Sequence, residues 1–345
     1  MEVRRLNKRE KVVVALDAMG GDFAPEQTVR GAVNAVGSSD EIKVILVGRE
    51  ELIKEELYTK CGYEGDDIEI VHAAEVIEMG DVPTSAIKDK KDSSLVVAMK
   101  LVREGKADAV VSAGSTGAIL VGGQLVVGRL KGIKRPPLAP FIPTTKGFSL
   151  LIDCGANVDA RPEHLVQFAQ MGSIYYENVM GKKNPTVALL NIGTEEEKGN
   201  QLIKDTKPLI NECKNINYIG SIESREIVRG AADVIVCEAF VGNVVLKFFE
   251  GLALTMFDCL KQGLLSSLRT KIGTLLIKPA LRGLKNQFDT SSQGGAPLLG
   301  LKGLVVKAHG NSTDKEIEIA IKQCISFKKQ KINEKIKESI CDASK

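Results

Sequence analysis

Short apolar runs rich in β-branched residues alternate along the chain with longer segments whose apolar residues repeat every three or four positions. The short runs predict buried strands and the longer segments predict amphipathic helices. Eight strands are predicted in this way, at Val12 to Leu16, Ile42 to Val47, Ile68 to Val71, Ala109 to Val111, Ser149 to Ile152, Thr186 to Leu190, Ile216 to Ile219 and Val234 to Val236. The alternation indicates an α/β protein with a doubly wound sheet, whose ligands bind at the carboxyl ends of the strands.

Two segments depart from this alternation. Residues 138–145 and 148–152 flank Lys146-Gly147 and predict a β-hairpin at an antiparallel edge. Residues 243–288 have a helical pattern throughout, with Pro279 as an expected kink. We therefore expect one catalytic α/β domain over residues 1–345, with residues 243–288 inserted as a helical arm.

Composition narrows the range of functions. The 345 residues have a formal net charge of +3, no Trp and 4% aromatic residues, which disfavours nucleic-acid binding because it offers neither a strong basic field nor a base-stacking platform. Seven cysteines form no C-x-x-C pair, and the charged start of the chain has no signal-peptide pattern. We therefore expect reduced thiols in a cytoplasm. No apolar run approaches the ~20 residues of a membrane span, so at most a peripheral membrane contact is expected.

Small and charged residues follow the first predicted strand. Asp17 precedes Gly20, Gly21 and Asp22, and two adjacent glycines let backbone N–H groups approach a ligand closely. The alternative is a plain turn in which Asp22 caps a helix opened by Pro25.

The loop after the fourth strand combines Ser115 and Thr116 with Gly114 and Gly117 ahead of a helical pattern. Unpaired N–H groups and the dipole at a helix start favour a phosphate ion, although an ordinary Ser/Thr-capped helix has the same composition. Neither G-x-G-x-x-G nor a Walker A pattern occurs, which weakens the case for NAD or ATP.

Two later loops also carry polar groups. Asp153 and Asn157 follow a strand and are suited to holding a substrate hydroxyl or amide, or to forming an Asx turn. Asn191 and Lys198 enclose three successive glutamates, which indicates a functional loop or a solvated helix start. Cys154 has no histidine near it in sequence, so a packing role is expected for it rather than a nucleophilic one.

The remaining titratable candidates are one histidine and two cations. His309 lies between a strand and a final helix capped by Ser312, a position suited to acid–base chemistry or to a structural hydrogen bond. Lys90 and Arg135 would neutralise a phosphate dianion if they reach the same cleft, and are otherwise solvated. The three histidines form no zinc motif, so no metal site is predicted.

Several motifs occur in a fixed order between about residues 11 and 330. They are D-A-M-G-G-D from Asp17, K-K-D-S-S from Lys90, A-G-S-T-G-A from Ala113, R-P from Arg135, D-C-G-A-N from Asp153, N-I-G from Asn191, G-N from Gly242, G-G-A-P-L-L-G from Gly294 and H-G from His309. This series resembles the bacterial phosphate acyltransferase family, PlsX. The chain departs from the family at Glu238-Ala239, where Asp-Gly is usual before Phe.

The resemblance implies transfer of a fatty acyl group from acyl carrier protein to inorganic phosphate, giving acyl phosphate for phospholipid synthesis. It also implies a homodimer with a three-layer fold like that of isocitrate and isopropylmalate dehydrogenases, and no cofactor besides the carrier's phosphopantetheine. The expected catalytic residues are His309, Asn157, Lys90 and Arg135. The expected substrate-binding and phosphate-binding residues are Asp17, Gly20, Gly21, Asp22, Gly114, Ser115, Thr116, Gly117, Asp153, Asn191, Lys198 and Asn243.

The helical arm has a composition suited to contact with a partner. Between Asp258 and Asp289 there is no acidic residue, while basic residues interleave with leucines and isoleucines. This pattern suits an anionic membrane surface, the acidic carrier protein or a dimer interface. We expect a cytoplasmic, peripherally membrane-associated enzyme near a downstream glycerol-3-phosphate acyltransferase. The alternatives are a CoA-dependent phosphate transacylase, an NAD-dependent dehydrogenase on the same fold and a non-catalytic scaffold for lipid enzymes.

Overall fold

The strands of this chain belong to two separate sheets. The computed structural model describes residues 11–288 and 294–342. The chain forms two compact units, of which the first comprises Met1–Lys131 with Gln293–Asn333 and the second comprises Gly132–Ser292 with Glu334–Lys345. The mixed α/β class is confirmed, but two parallel-rich sheets replace the one sheet that the alternation predicts. One catalytic domain over residues 1–345 stays a prediction.

The sheet of the first unit has six strands in the order β10-β11-β4-β1-β2-β3. All neighbours are parallel except β10 and β11, so the carboxyl ends of five strands share one edge. Their bounds are β1 Val12–Asp17, β2 Ile42–Gly48, β3 Ile68–His72, β4 Ala109–Ser112, β10 Ala296–Leu298 and β11 Leu304–Lys307.

Helices of the first unit pack on this sheet. They are α1 Glu26–Gly37, α2 Glu50–Lys54, α3 Pro83–Asp89, α4 Ser94–Arg103, α5 Thr116–Gly122 and α11 Asp314–Lys329, with π-helical turns at Glu55–Lys60 and Gly123–Val127. Two predicted caps are wrong. Pro25 is the N-cap of α1 instead of Asp22, and Thr313 caps α11 in a reciprocal pair with Glu316 instead of Ser312.

The sheet of the second unit has five strands in the order β5-β6-β9-β7-β8, with only β5 antiparallel to its neighbour. Its strands are β5 Phe141–Thr144, β6 Gly147–Ile152, β7 Thr186–Asn191, β8 Asn217–Glu223 and β9 Val234–Val236. The predicted hairpin is confirmed as β5 and β6, and all eight predicted strands are present. Apolar side chains from β6, β7 and β9 are fully buried, because strands covered on both faces need apolar residues on both.

The remaining helices are α6 Pro162–Met180, α7 Gln201–Asn211, α8 Ser224–Ile227, α9 Ala239–Leu264, α10 Leu268–Gln287 and α12 Ile332–Asp342. The sequence predicts α11 as the final helix, which is wrong because α12 follows it. The segment predicted as continuous helix over 243–288 starts earlier, at Ala239, and breaks between Leu264 and Leu268. A new cap explains the break, because the Ser267 hydroxyl accepts a hydrogen bond from Thr270 N.

The α9 and α10 helices leave most of their apolar side chains uncovered by the chain itself. Leu268 and Leu276 are 79% and 80% exposed, and only Ala239 and Gly242 of α9 are buried. Among the described residues, α9 alone is long and apolar enough to cross a membrane by length and composition. The sequence-based expectation that no segment is long enough to span a membrane considered only uninterrupted apolar runs. The α9 helix exceeds it because its few charged residues are spread along 26 residues of otherwise apolar helix.

Candidate active site

The loops after β1, β4 and β11 meet at the carboxyl edge of the first unit's sheet. Asp22 N donates a hydrogen bond to Gly310 O at 2.8 Å. Gly21 has a φ of +108°, and a Cβ built on it would lie 3.0 Å from both Gly310 O and the Ala113 Cβ. A side chain at Gly21 would therefore push these three loops apart. The structure thus brings together the predicted residues of the three loops.

Asp17 lies beneath these loops and is 2% exposed. Its Oδ2 atom accepts a hydrogen bond from Ser112 Oγ at 2.7 Å, and that hydroxyl accepts one from Gly114 N at 3.1 Å. Burial raises the pKa of Asp17, while hydrogen bonds from Ser94 and Ser112 oppose the rise. A Cβ on Gly20 would lie 2.9 Å from Gly114 N. Asp17 therefore joins the first two loops internally, and a direct contact with substrate stays a prediction for it.

The loop that the sequence predicts as a phosphate cradle leads into α5. Ser115 is the N-cap residue and is 7% exposed, but its hydroxyl does not cap the helix. Thr116 begins the helix, so N–H groups of its first turn lack partners within the helix. Gly117 has a packing reason of its own, because a Cβ there would lie 2.5 Å from Pro83 Cγ of α3. Phosphate binding at this loop stays a prediction.

The two predicted catalytic residues of the first unit have different surroundings. Lys90 Nζ donates to Asp81 Oδ2 at 2.5 Å and to Val76 O at 2.9 Å. The Lys90 hydrogen bond lowers the pKa of Asp81, so the lysine is already paired within the chain. His309 is exposed at the carboxyl end of β11, next to Gly310 of the loop cluster.

A cavity of about 400 Å³ lies beside the loop from β1 to α1. Its lining includes Phe23, Pro25 and Leu52. It also includes four acidic residues and one lysine, namely Asp22, Glu26, Glu55, Glu56 and Lys60. The acidic excess makes this cavity unfavourable for a phosphate ion.

The buried carboxylate of Asp153 organises the loop after β6 in the second unit. It accepts hydrogen bonds from Leu138 N at 2.9 Å, from Ala156 N at 3.2 Å and from both nitrogens of Asn157 at 2.8 Å. Asn157 Nδ2 also donates to Pro136 O at 2.9 Å. Burial raises the pKa of Asp153 to about 6, although the hydrogen bonds from these donors lower it in part. The pair shapes the loop internally, and its predicted contacts with substrate stay predictions.

The family departure at Glu238-Ala239 has a local explanation. The Glu238 carboxylate accepts hydrogen bonds from Phe240 N at 2.6 Å and from Val241 N at 2.9 Å, and so caps α9. Ala239 is the first residue of α9 and is buried. It is not among the described residues with positive φ, so its backbone does not require glycine. The longer carboxylate therefore performs the capping that a helix start needs.

The start of α9 lies against the Asp153 loop. A Cβ on Gly242 would lie 1.9 Å from Asp153 O, a distance at which no side chain fits. The next residue, Asn243, is exposed, and a Cβ on Gly155 would lie 3.9 Å from its side chain. Gly242 therefore has a steric role, and the predicted substrate contact of Asn243 remains open to test.

The loop after β7 is held by side chains at both of its ends. Asn191 Nδ2 donates to Gly193 O and to Lys198 O, each at 3.0 Å. From α7, Lys207 Nζ donates to Glu196 O at 2.7 Å. The side chain of Lys198 is exposed at this loop. Asn191 thus shapes the loop that carries Lys198, and substrate contacts of both residues stay predictions.

Lys207 is not among the residues predicted from the sequence. It is 6% exposed, although lysine is almost never fully buried without partners. The buried face of α7 consists of positions 203, 206, 207 and 210. This helical spacing is the signal that would have identified a lysine on an inward face.

Arg135 lies exposed ahead of β5 in the second unit. Nearby, His164 Nδ1 accepts a hydrogen bond from Arg161 N at 3.1 Å. Burial lowers the pKa of His164, and the positive charges of Arg135, Lys134 and Arg161 lower it further. The negative charge of Glu163 opposes this shift by raising the pKa. His164 therefore takes part in capping α6, and the predicted catalytic role of Arg135 stays a prediction.

Two buried cysteines of this unit, Cys154 and Cys237, are poor candidates for a nucleophile. Burial raises the pKa of the Cys154 and Cys237 thiols well above the usual value, so both are protonated at neutral pH. Cys154 is a core residue, as the sequence predicts. Within residues 11–288 and 294–342, no group of three His, Cys, Asp or Glu side chains is placed to hold a metal ion.

Comparison with known proteins shows which family the chain belongs to. The model of a family described as "Fatty acid synthesis protein" matches residues 12–335. A protein of Alkaliphilus oremlandii named "Phosphate acyltransferase" is 51% identical over 327 residues, covering 95% of this chain and 97% of its own. One of the same name from Clostridium botulinum is 49% identical over 329 residues, covering 95% and 98%.

A solved structure shares the fold at much lower identity. The phosphotransacetylase of Streptococcus pyogenes matches with a TM-score of 0.63 and 17% identity, covering 92% of this chain and 94% of its own. The fold is therefore shared beyond the close relatives. From the family model and the two relatives, the chain belongs to the phosphate acyltransferase (PlsX) family of fatty acid synthesis proteins, the family that its ordered motifs resemble.

Proposed function

We propose that this chain transfers a fatty acyl group from acyl carrier protein to inorganic phosphate, giving acyl phosphate for phospholipid synthesis. The observation that carries the proposal is 51% identity to a phosphate acyltransferase across 95% of the chain. Membership of the family makes the chain an acyltransferase. That acyl carrier protein donates the acyl group is the further step that we propose. Phosphopantetheine arrives with that donor, and no further cofactor is proposed.

The proposed reaction needs positioning and charge stabilisation more than a protein nucleophile. A phosphate oxygen attacks the thioester carbonyl carbon, the C–S bond breaks, and the phosphopantetheine thiol leaves with the proton that phosphate gives up. The protonated, buried Cys154 and Cys237 agree with a direct transfer. The two parallel-rich sheets support a doubly wound, three-layer architecture of the isocitrate and isopropylmalate dehydrogenase kind.

Phosphate is assigned to the loop between β4 and α5. The support is the unpaired first turn of α5, together with a Ser115 hydroxyl that does not cap the helix. Gly20, Gly21 and Gly114 allow backbone to approach closely here. We expect Ser115→Ala to raise the KM for phosphate more than the KM for the thioester. Asp22→Asn should leave the phosphate KM near the wild-type value if Asp22 only orients the loop.

Arg135, Lys198 and Lys90 are the proposed cations, and His309 is the proposed proton-transfer residue. Lys90 must act while paired with Asp81, so its contribution is expected to be smaller than that of Arg135. A Lys90→Ala, Arg135→Ala pair should raise the phosphate KM, whereas Lys106→Ala, an exposed lysine paired with Glu104, should not. An unchanged KM in the pair would reject both assignments.

The α9 and α10 helices are proposed to contact an anionic membrane, the acidic carrier protein and a second copy of the chain. Exposed leucines and isoleucines interleaved with basic residues support this assignment. The enzyme would then be cytoplasmic and peripherally bound, close to the glycerol-3-phosphate acyltransferase that uses its product. Vesicle flotation should be lost in Leu268→Glu, Ile272→Glu but kept in Leu125→Glu, an exposed leucine outside these helices. Undiminished flotation of the double variant would reject the membrane role.

One assay separates the candidate functions. Purified protein with palmitoyl carrier protein should release thiol only when phosphate is present. Hydroxylamine added after the thiol measurement should then give more acyl hydroxamate than a phosphate-free control, because hydroxylamine also cleaves the remaining thioester. Preference for acyl-CoA would instead favour a CoA-dependent phosphate transacylase, the alternative that the phosphotransacetylase fold supports. Turnover of NAD with and without magnesium tests for a dehydrogenase. Thiol release without phosphate dependence, or none at all, would reject phosphate acyl transfer.

A further inference from the structure

The loop that carries Lys198 rests on a buried lysine with no carboxylate partner in the described chain. Lys207 Nζ donates to three backbone oxygens, Glu196 O at 2.7 Å, Glu195 O at 3.3 Å and Lys198 O at 3.4 Å. An ammonium group has three donors, so this oxygen set uses all of them. Among residues 11–288 and 294–342, no ion pair within 4.0 Å involves Lys207. Its charge is therefore stabilised by the loop itself.

Two donors converge on one carbonyl of this loop. Lys198 O accepts from Asn191 Nδ2 at 3.0 Å, at the end of β7, and from Lys207 Nζ at 3.4 Å, within α7. The backbone at Lys198 is thus fixed from the strand and from the helix together. Packing supports the arrangement, because a Cβ on Gly193 would lie 3.1 Å from Lys198 Cγ.

The Lys198 side chain is left exposed by this arrangement. Three glutamates precede it in sequence, yet no ion pair within 4.0 Å joins Lys198 to a described carboxylate. The loop follows the carboxyl end of β7, the edge of the sheet where α/β proteins bind ligands. An exposed ammonium on a fixed backbone at that edge is suited to a phosphate group.

We propose that Lys207 is a positioning residue, which holds the loop so that Lys198 meets a phosphate group of the substrate. This inference rests on the proposed function. The phosphate group has two sources in the proposed reaction, namely inorganic phosphate and the phosphodiester of the phosphopantetheine arm. Lys207 itself contacts only the backbone oxygens of its own loop.

Lys207→Met tests the proposal by removing the charge and the donors while keeping an unbranched side chain. Misplacement of Lys198 should raise one KM by about 10- to 100-fold with a smaller change in kcat. A raised KM for inorganic phosphate assigns the first source, and a raised KM for acyl carrier protein assigns the second. Lys204→Met, an exposed lysine on the same helix, should keep both KM values within about twofold.

A double-variant cycle distinguishes positioning from general damage. If Lys207 acts through Lys198, then Lys207→Met should add little to the KM of Lys198→Met. Glutamyl endopeptidase should also cleave after Glu195 to Glu197 faster in Lys207→Met at an unchanged melting temperature. If Lys207→Met does not fold, Lys207→Arg replaces it in the cycle, because a rigid planar fork cannot match three oxygens around a point charge.

Unchanged KM values, or effects of the two variants that simply multiply, would overturn the proposal. The assay of the wild-type protein distinguishes failure of this positioning role from failure of the proposed function. If wild-type protein forms acyl hydroxamate in a phosphate-dependent manner while Lys207→Met shows wild-type KM values, the positioning role alone fails. If wild-type protein forms none, the proposed function fails first.

Discussion

Gly242→Ala should strongly destabilise the second unit, because the new Cβ would lie 1.9 Å from Asp153 O and 2.9 Å from Cys237 Sγ. Carbon atoms in contact with such groups normally lie about 3.5 Å away. The start of α9 must therefore move by more than about 1 Å. The affected interface contains the Glu238 cap, with hydrogen bonds of 2.6 and 2.9 Å, and the Asp153 N to Cys237 O bond of 3.0 Å.

The magnitude follows from opposing contributions. Overpacking a close contact costs about 1–3 kcal/mol, and a weakened cap or hydrogen bond costs about 1 kcal/mol each. Alanine in place of glycine inside a helix stabilises it by about 1 kcal/mol. We expect a net loss of about 2–4 kcal/mol in the free energy of unfolding, on the basis of these contributions.

Gly251→Ala is the matched control on the same helix. A Cβ on Gly251 meets no described atom within 4 Å, so only the helix propensity changes. This variant should gain about 0.5–1 kcal/mol. The two substitutions are chemically identical and have opposite expected signs.

Urea unfolding followed by far-ultraviolet circular dichroism measures both variants. The Gly242→Ala midpoint should fall and the Gly251→Ala midpoint should rise relative to wild type. A Gly242→Ala midpoint equal to or above that of wild type would refute the steric argument. A separate transition for each unit would be fitted separately, because a single two-state free energy is then undefined.

Further predictions concern buried polar groups. The pKa of Asp153 is about 6 in the folded protein against 3.8 for an unperturbed aspartate side chain, so the folded state holds this proton longer. Its contribution to the free energy of unfolding should fall by up to about 3 kcal/mol as pH rises from about 4 to 6, then level off. The difference between wild type and Asp153→Asn, measured by urea unfolding across this range, should show that fall, and a pH-independent difference would contradict it. Glu238→Ala should lose about 1 kcal/mol through the α9 cap, while Glu238→Asp keeps most of it in thermal unfolding. Ser112→Ala should cost about 1–3 kcal/mol by leaving Asp17 and Gly114 N without their shared partner, and an unchanged melting temperature would argue against that link.

Periodicity alone determined the local structure of this protein. The eight strands, the hairpin around Lys146-Gly147 and the helical character of residues 243–288 follow from alternation and apolar spacing. These features depend on neighbours in sequence, and so they are visible without a fold. The glycines of the first loop were likewise visible, although the reason for Gly21 was not.

The partners of the polar groups were decided only by tertiary structure. Asp17 and Ser112 are 95 residues apart in sequence and share a buried hydrogen bond of 2.7 Å. The motifs predict that Lys90 reaches the same cleft as the glycine-rich loops. In the structure, Lys90 instead pairs with Asp81. Helical spacing marks the inward face that holds Lys207, but its backbone partners depend on how the loop after β7 folds back onto α7.

The division into two sheets has the same origin. Strand pairing joins segments remote in sequence, and the apolar pattern of a buried parallel strand is the same in either sheet. The alternation therefore determined that strands and helices form an α/β protein. Which strands pair, and which polar groups they bring into contact, depended on packing between distant segments.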